Sequence, residues 1–499
     1  MITKKSIYFV YKNKKKAQVI PMKPVLFLAT ESFPFVKSGG MGDVIGSLPR
    51  ELRRQGVEAR VILPKFSAIP PSLAQAMTPL SSFDVKLGWR KQPCRLWRLE
   101  YDGVIFYFVD NDYYFNRQGL YGWPDDAERF AYFCRAVLEA LPHLDFAPHI
   151  LHCHDWHTAI LPLLLKAGYA GLASYSRLKT VLTIHNIEYQ GCFDRSVLTD
   201  LLELDNTYYF TSDRLEFYGT VSYLKAGIVF ADALTTVSPS YAWEITTPEG
   251  GRGLDGILRE RQADLTGIVN GIDYDTYNPG GDPLIDTPYT WQSVQHKQQN
   301  KTKLQELSGL PVQPDIPLMS MVSRLVPAKG LDILLESLPV MMDYNAQWVI
   351  MSTGEERYET LLRAIAHQYP DRLYVQTYFD EGMAHRIYAG SDLYLQPSLS
   401  EPCGTSQLVA MRYGSVPLVR ATGGLKDTVI PFNEATGAGT GFVFDSANSR
   451  EFLAALRQAV ILYHHRETWH SLVKNAMKSD HSWRRSVDGY LAVYRRLQS

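Results

Sequence analysis

The chain has 499 residues, enough for roughly two to four domains, and its 45% hydrophobic and 21% charged content is ordinary for a globular protein. A formal net charge of -1 gives no basic footprint for nucleic acid, and no run approaches the ~18 apolar residues of a membrane span. The five scattered cysteines show no CxxC spacing, which favours free thiols in a reducing cytoplasm. We therefore expect neither nucleic acid nor a membrane as a partner.

The first 23 residues are basic around a short apolar patch, with lysines that include Lys4, Lys5, Lys12, Lys14, Lys15 and Lys16. A secretory signal peptide needs a longer apolar core and a small-residue cleavage site, and this segment has neither. We expect residues 1–23 to be a disordered extension, or translation to begin at Met22.

Short β-rich runs alternate with amphipathic helical stretches along the chain, which is typical of parallel α/β sheets. In the first half this pattern predicts strands at Val25–Thr30, Ala59–Leu63, Val104–Val109, Ile150–Cys153, Thr180–Ile184 and Ala233–Val237. It predicts helices at Asp43–Gln55, Ala127–Leu141 and His157–Ala167. In the second half the predicted strands are Leu318–Val322, Gln347–Met351, Leu373–Gln376, Asp392–Gln396 and Val416–Arg420. The predicted helices there are Leu331–Met342, Tyr358–His367 and Thr405–Tyr413.

Two such arrays predict an α/β protein with two doubly wound, Rossmann-like domains. Gly and Pro cluster in the segment Asn270–Thr290, which marks the junction. We therefore expect a first domain over residues 24–270 and a second over 271–480. Ligands of open α/β sheets bind beyond the carboxyl ends of the strands, so two facing sheets predict one deep cleft lined from both halves.

The segment Pro397–Ser406, PSLSEPCGTS, follows a predicted strand and carries an acid directly before a helix start. A helix start at Gly404, Thr405 and Ser406 offers free N–H groups that suit a phosphate or diphosphate. The carboxylate of Glu401 suits sugar hydroxyls or a developing cation instead. An acid beside an anion site at a strand end indicates chemistry on a nucleotide sugar.

The loop Phe35–Val44, FVKSGGMGDV, lies between the first strand and the first helix. Gly39, Gly40 and Gly42 allow the backbone to approach a ligand, and Lys37 can neutralise an anion. The spacing is neither that of a Walker loop nor that of the Rossmann fingerprint. A purely structural turn, with Asp43 as a helix cap, is the alternative.

The stretch His152–His157, HCHDWH, invites a zinc interpretation, but no second ligand cluster or HExxH pattern accompanies it, so we expect no metal site. His185 and Asn186, in TIHN, end the next strand along the chain. Polar groups at two neighbouring strand ends favour a ligand wall, although a single histidine there would more often be structural.

In the second half, SRLVPAKG supplies Arg324 and Lys329 at the end of a predicted strand. An arginine fork and a lysine charge can hold one diphosphate together. Two solvated surface cations are the alternative, and the strand-end position favours the diphosphate. Aromatic residues are also available for stacking on sugar rings, although core packing explains most of them; they are Tyr113, Tyr114, Tyr121 and Trp123.

Taken together, these segments resemble the bacterial glycogen synthases and plant starch synthases from about Lys23 onward. Order and spacing agree through KSGGMGDVIGSLP, FVDNDYYFNR, DDAERFAYF, HCHDWHT, TIHNIEYQG, GIVNGID, SRLVPAKGLD, PSLSEPCGTSQL and MRYGSVPLVRATGGLKDT. The resemblance implies a GT-B fold, with a C-terminal helix in residues 481–499 that returns to the first domain. It implies glucose transfer from ADP-glucose to the nonreducing end of an α-1,4-glucan such as glycogen, with retention of configuration and no required metal or cofactor. The alternatives are a glucosyltransferase that uses UDP-glucose and an inactive glucan-binding relative.

The resemblance also implies roles for individual residues. Contacts to the donor phosphates and sugar fall to Lys37, Gly39, Gly40, Arg324 and Lys329. The walls of the cleft fall to Asp43, Asp125, His185, Asn186 and Asn270. The catalytic centre falls to His154 beside the transferred glucose and Glu401 on its hydroxyls, with Cys403, Gly404 and Thr405 in the same loop. The chain departs from the family pattern at Ala328, usually Gln, and at Leu399 and Ser400, usually Arg and Phe.

No carboxylate pair suited to double displacement is evident, so we expect attack on the same face of the sugar as the departing phosphate. In this mechanism the leaving phosphate takes the acceptor proton, and His154 steadies the oxocarbenium-like state.

Overall fold

A nine-stranded sheet dominates the first half of the computed structural model, which describes residues 22–498 and so leaves nearly all of the predicted basic extension outside it. The strands of the first half are β1 (Val25–Leu28), β2 (Ala59–Pro64), β3 (Thr78–Leu87), β4 (Arg90–Tyr101), β5 (Val104–Asp110), β6 (Ile150–His154), β7 (Lys179–Ile184), β8 (Cys192–Phe193), β9 (Glu216–Phe217), β10 (Thr220–Ser222), β11 (Ala233–Thr236) and β12 (Leu265–Gly267). The sheet order is β12-β11-β7-β6-β1-β2-β5-β4-β3, and β8, β10 and β9 form a small separate sheet.

The first sheet is parallel except at the β5-β4-β3 edge, where neighbouring strands are antiparallel. The chain runs outward from β1 through β2 to β5 and then returns to β6 on the other side of β1. This reversal is a topological switch point, the place where open α/β sheets bind their ligands.

The second half holds a six-stranded sheet in the order β15-β14-β13-β16-β17-β18, in which every pair is parallel. Its strands are β13 (Leu318–Leu325), β14 (Gln347–Gly354), β15 (Leu373–Gln376), β16 (Leu393–Gln396), β17 (Val416–Arg420) and β18 (Phe442–Phe444). Its switch point lies between β13 and β16, so each half of the molecule has one.

Helices connect the strands of both sheets. In the first half they are α1 (Gly40–Arg54), α2 (Pro71–Gln75), α3 (Asp112–Phe115), α4 (Asp126–Ala140), α5 (Trp156–Ala159), α6 (Leu161–Leu164), α7 (Val197–Asp200), α8 (Asn206–Tyr209), α9 (Tyr223–Phe230), α10 (Pro239–Glu244) and α11 (Asp255–Glu260). In the second half they are α12 (Lys297–Leu307), α13 (Leu331–Met341), α14 (Glu356–Gln368), α15 (Glu381–Gly390), α16 (Ser406–Arg412), α17 (Gly423–Thr428), α18 (Ser449–His464), α19 (Arg466–Lys478) and α20 (Trp483–Gln498). Among residues 22–498 no helix is long and apolar enough to cross a membrane.

The central strands are buried on both faces because helices cover them. All four residues of β1, VLFL, are buried, as are all five of β6, ILHCH. Continuous apolar runs of this kind are expected of parallel strands between two helical layers. The histidines of β6 are therefore inside the first half of the molecule.

The last helix, α20, belongs to the core of the first half. Its buried residues Trp483, Val487 and Tyr490 pack in one cluster with Val25 and Phe27 of β1. The chain crosses between the halves at Gly271 and again at Ser482, and Ile272 pairs with Ser482 in a short parallel bridge. We propose the domain boundaries at these two crossings, after residues 270 and 480.

The predicted α/β class with two doubly wound, Rossmann-like sheets is confirmed. The helix predicted over His157–Ala167 is wrong as a single element: α5 and α6 are short and a π-helical turn follows at Leu165–Tyr169. Pro162 lies in α6 and has no N–H to donate to a continuous ladder. The β3–β4 hairpin was not predicted, since its strands carry many charged residues at the exposed sheet edge.

Replacing Tyr494 by Phe tests the attachment of α20 to the first sheet. The Tyr494 hydroxyl bonds Nδ1 of His152 at 2.8 Å, and both side chains are fully buried. Removing one partner of a buried hydrogen bond costs about 1–3 kcal/mol. We expect Tyr494→Phe to lower the free energy of unfolding in urea by that amount, and Tyr218→Phe, at an 81% exposed ring, to leave it unchanged. Equal values for the two variants would contradict this attachment.

Candidate active site

The loops at the carboxyl ends of the two sheets contact each other directly. The Ser238 hydroxyl donates to the carbonyl of Pro402 at 2.7 Å, and the Gly423 N–H donates to the carboxylate of Glu244 at 2.7 Å. Ser240 binds the carboxylate of Asp427 through both its N–H and its hydroxyl. The first-half residues follow β11 and the second-half residues follow β16 and β17, so strand-end loops of both halves meet at this contact.

A salt bridge between Lys329 and Glu401 occupies the switch point of the second sheet. Lys329 Nζ lies 2.6 Å from the Glu401 carboxylate, and the same oxygen accepts hydrogen bonds from Gln396 and Ser398. Burial alone would raise the pKa of Glu401, but the Lys329 charge and these three donors hold the pKa below its ordinary value. Glu401 is therefore a carboxylate at neutral pH, held in one orientation.

The two loops that carry this pair are locked together by their backbones. Gly330 has φ +73, and a Cβ there would lie 1.9 Å from the carbonyl oxygen of Pro397, so this close approach requires glycine. The Leu399 N–H donates to the carbonyl of Ala328 at 2.8 Å. Ala328 contributes its main chain to this contact, so the change from Gln at this position leaves it intact.

Two positive features beside the pair are free to bind an anion. Arg324, at the end of β13, is exposed, and its side chain has no hydrogen bond or ion pair to any residue of the described range 22–498. The helix α16 begins at Ser406, and the side chain of Thr405 makes no capping bond to it. Both features lie on the loops that flank Glu401, which fits a nearby anionic ligand.

The glycine-rich loop of the first half is held by an acid that the sequence did not reveal. Glu31, buried after β1, accepts hydrogen bonds from the Ser38 N–H at 2.5 Å, the Ser38 hydroxyl at 2.7 Å and the Gly39 N–H at 3.1 Å. The Tyr121 hydroxyl donates to the same carboxylate at 2.8 Å. A Cβ built on Gly39 or Gly40 meets no described atom within 4 Å, so this face of the loop is open to a ligand.

Lys37 lies on this loop and forms an exposed ion pair with Asp43, Nζ to carboxylate 2.7 Å. Both residues line a cavity of about 240 Å³ that also includes Thr405 and Glu381 of the second half. The cavity is thus shared between the halves. A larger cavity of about 790 Å³ lies beside Arg50 and contains none of the predicted site residues.

The histidines after β6 and β7 form a buried pair. His154 Nδ1 and His185 Nε2 are 2.9 Å apart. The backbone N–H of His185 donates to the Asp155 carboxylate at 2.7 Å. Burial lowers the pKa of His185 to about 3 and that of His154 well below its ordinary value, so both rings are neutral. Nε2 of His154 is buried with no partner among the described residues. A buried nitrogen without a protein partner is available to a ligand or to an ordered water.

Asp155, which supports this pair, has an unusual backbone conformation. Its φ of +55 with ψ of -177 is rare for a residue with a side chain, and such conformations cluster at functional sites. Burial raises the pKa of Asp155 to about 7. His152, the third histidine nearby, uses both ring nitrogens in bonds to Tyr494 and Thr183. Within residues 22–498 no group of three or more His, Cys, Asp or Glu is arranged to hold a metal ion.

The remaining predicted residues fall into different surroundings. Asn270 is buried, with its side-chain oxygen unpaired among the described residues and its backbone N–H against the Cys403 thiol. Burial raises the pKa of Cys403 to about 12, which makes the thiol unreactive. Asp125 is bound in a bidentate manner by Arg117, at 2.6 and 2.8 Å. The carboxylate of Asp125 is therefore already paired in this structure.

The structure thus brings several of the predicted residues together in pairs. Lys329 pairs with Glu401, His154 with His185, Lys37 with Asp43, and Asn270 with Cys403. Asn186 lies beside the histidine pair, where its side-chain oxygen accepts from the Glu188 N–H. The sequence missed Glu31, Asp155 and Gln396. Each lies at or just after the carboxyl end of a strand, and this position is the sequence signal that could have identified them.

The chain is similar over nearly its whole length to known proteins. The profile described as starch synthase catalytic domain matches residues 24–260, and that of glycosyl transferases group 1 matches residues 306–479. The glycogen synthase of Desulforamulus reducens is 50% identical over 473 residues, which cover 95% of this chain and 98% of that protein. The glycogen synthase of Geobacillus stearothermophilus is 49% identical, with coverages of 95% and 97%.

Solved structures agree with these sequence matches. The catalytic domain of starch synthase IV from Arabidopsis thaliana, bound to ADP and acarbose, superposes with a TM-score of 0.89 at 33% identity. It covers 95% of this chain and 99% of that one. The sucrose-phosphate synthase of Thermosynechococcus elongatus has a TM-score of 0.60 at 16% identity, over 95% of this chain and 99% of that one, and shares the fold. The predicted GT-B arrangement of two facing Rossmann-like domains is confirmed.

Replacing Lys329 by Met tests the ion pair through stability. Breaking a buried pair leaves an uncompensated charge, so we expect unfolding free energy at pH 7 to fall by about 3 kcal/mol. The native pKa of Glu401 is depressed, so this stabilisation is present above the ordinary carboxyl pKa of 4.5 and is lost as pH falls through the native pKa. The difference between wild type and Lys329→Met, measured by urea unfolding, therefore shrinks below about pH 4.

A matched control is Lys37→Met, because Lys37 also forms a carboxylate pair, but with both side chains about 40% exposed, at 43% and 41%. We expect it to change the unfolding free energy by less than about 1 kcal/mol. A Lys329→Met effect as small as this control, or one that stays the same as pH falls from 7 to well below 4.5, would argue against a buried Lys329–Glu401 pair.

Proposed function

The chain belongs to the glycogen synthase family, and we propose that it transfers glucose from ADP-glucose to the nonreducing end of an α-1,4-glucan with retention of configuration. The family membership makes it a glycosyltransferase with a nucleotide-sugar donor and a glucan acceptor. The choice of ADP over UDP as the donor nucleotide is part of the proposal. The starch synthase IV structure contains ADP, and that protein is 33% identical over 95% of this chain.

The observation that carries the proposal is the arrangement at the second switch point. Glu401 is a fixed carboxylate beside Lys329, and Arg324, five residues before Lys329 in the chain, is exposed with no side-chain partner among residues 22–498. A diphosphate needs fixed cations, and a sugar needs hydrogen-bond acceptors for its hydroxyls. This arrangement supplies both within one pair of loops.

We assign the leaving diphosphate to Arg324, Lys329 and the first N–H groups of α16. Lys329 and the helix N–H groups are held in place before reaction, so they stabilise the charge that develops as the bond to C1 breaks. Lys329 reaches the phosphate while it stays close to Glu401, because an ammonium has three donors and only one is used in the structure. Lys37 approaches the same region from the first half through the shared cavity.

We assign the acceptor side to the first half, with His154 nearest the transferred sugar. A neutral His154 cannot act as a general acid, because burial keeps its pKa far below neutrality. Its free Nε2 can accept a hydrogen bond from a sugar hydroxyl if Nδ1 carries the proton toward His185. In the proposed same-face reaction, the acceptor hydroxyl bonds to C1 as the C1–phosphate bond breaks. Its proton passes to the departing phosphate oxygen.

The state of the cysteine thiols supports a proposal for the cellular compartment. Within residues 22–498 all five cysteines are free, and four of them are buried. We propose the cytoplasm, where free thiols persist.

The direct test is incorporation of glucose into glycogen from ADP-glucose and from UDP-glucose in parallel, with EDTA present. We expect strong turnover with ADP-glucose and weak turnover with UDP-glucose. Faster turnover with UDP-glucose would overturn the donor assignment. Failure to use either donor, with retained glycogen binding, would overturn the enzymatic assignment for this chain.

Arg324→Ala tests the phosphate cradle. We expect kcat/KM for ADP-glucose to fall by about 10²–10³, the usual loss for one charge-stabilising group. Arg457→Ala is the matched control, since Arg457 is an exposed arginine of the second half that also lacks a side-chain partner among residues 22–498. We expect the control to keep wild-type rates. Arg324→Ala activity within about tenfold of wild type would remove Arg324 from the reaction.

A further inference from the structure

We propose that Tyr113 and Trp123, whose rings both contact Arg117, form an aromatic platform that binds sugar rings of the glucan acceptor beside the active site. The proposal rests on the proposed function, since it names the surface that receives the acceptor. The name aromatic platform covers the two rings together with Arg117.

The aromatic platform exposes two large rings to solvent. Tyr113 is 60% exposed and Trp123 is 37% exposed. The Arg117 guanidinium lies 5.2 Å from the centre of each ring. The rings are thus no further apart than twice that distance, which is within the span of a short oligosaccharide.

The Arg117 guanidinium that contacts both rings is itself fixed. Arg117 donates two hydrogen bonds to Asp125, at 2.6 and 2.8 Å, and one to the carbonyl of Tyr113 at 2.8 Å. These bonds use most of its hydrogen-bond donors, so Arg117 supports the two rings and has few donors left to bind a sugar. A surface whose rings are already ordered loses little conformational entropy when a ligand binds.

The loop that carries Trp123 is also tightly held. The N–H groups of Gly122 and Trp123 both donate to the carboxylate of Asp126, at 2.8 and 3.2 Å. Asp126 is bound by Arg129, which is fully buried and also donates to the carbonyl of Leu120. This buried support holds the loop, and with it the exposed Trp123, in one position.

The aromatic platform adjoins the active site through Tyr121, two residues before Trp123. The Tyr121 hydroxyl bonds Glu31 at 2.8 Å and Thr30 at 2.7 Å, and Glu31 holds the glycine-rich loop. The Tyr121 ring lies 4.4 Å from that of His157, in the segment after β6. The aromatic platform therefore continues from the carboxyl edge of the first sheet, the side assigned to the acceptor.

The chemistry of the surface suits a neutral glucan. Glucose rings present C–H faces that pack on aromatic rings, and their hydroxyls point outward to water or to polar neighbours. The charges of the aromatic platform and of the loop that supports it are paired, Arg117 with Asp125 and Arg129 with Asp126. A charged ligand such as the donor diphosphate would find no net attraction there.

The test compares Trp123→Ala and Tyr113→Ala with wild type and with Trp291→Ala. Trp291 is a matched control in the second half, because it is 38% exposed and has the ammonium of Lys478 4.1 Å from its ring centre. KM values are measured for glycogen, maltoheptaose and ADP-glucose. Mobility in native gels containing glycogen reports binding without turnover, and circular dichroism checks folding.

We expect Trp123→Ala to raise KM for glycogen and maltoheptaose about tenfold, the loss of one stacking contact, while KM for ADP-glucose changes less than about twofold. Tyr113→Ala gives a smaller change in the same direction, Trp123→Phe retains most of the affinity, and Trp291→Ala matches wild type. Weaker retardation in glycogen gels accompanies the higher KM.

Wild-type glucan KM values and gel mobility in both Trp123→Ala and Tyr113→Ala would overturn the aromatic platform and leave the synthase assignment standing. If Trp123→Ala fails to fold, Tyr113→Ala and Trp123→Phe decide the question. If wild type turns over neither nucleotide sugar, the proposed function fails. The gel mobilities alone then decide whether the aromatic platform binds glucan.

Discussion

The salt bridge between Lys329 and Glu401 is the interaction on which the rest of the site depends. It joins the loop after β13 to the loop after β16, and these two strands flank the switch point of the second sheet. The two charges offset each other, so the cluster is stable without substrate. We propose that Arg324, whose side chain has no partner among residues 22–498, adds to Lys329 the attraction for a diphosphate.

The first half has a comparable arrangement with an acid at its centre. Glu31 connects the glycine-rich loop to the Tyr121 loop, while Asp155 fixes the backbone of His185. Both acids act on main-chain N–H groups. The first-half residues that we propose to face substrate are thus positioned by carboxylates behind them.

The fold and much of the site could be predicted because one rule governs both: ligand-binding residues follow the carboxyl ends of parallel strands. That position led to the prediction of Arg324, Lys329, His154 and Glu401 as site residues, and the predicted family and fold are confirmed. Side-chain partners could not be predicted, because residues far apart in sequence supply them. Glu401 is paired with Lys329, 72 residues away, and Glu31 accepts a hydrogen bond from Tyr121, 90 residues away. The charged β3–β4 hairpin was missed because exposed edge strands lack the apolar pattern.

The position of α20 constrains how the protein can be made. The first sheet is translated early, but the cluster that covers β1 includes Trp483, Val487 and Tyr490 from the last helix. Apolar surface on that face stays uncovered until more than two hundred further residues have left the ribosome, the distance from β12 to α20. A domain that is first in synthesis is therefore among the last to be completed, and its nascent form is a natural client for chaperones.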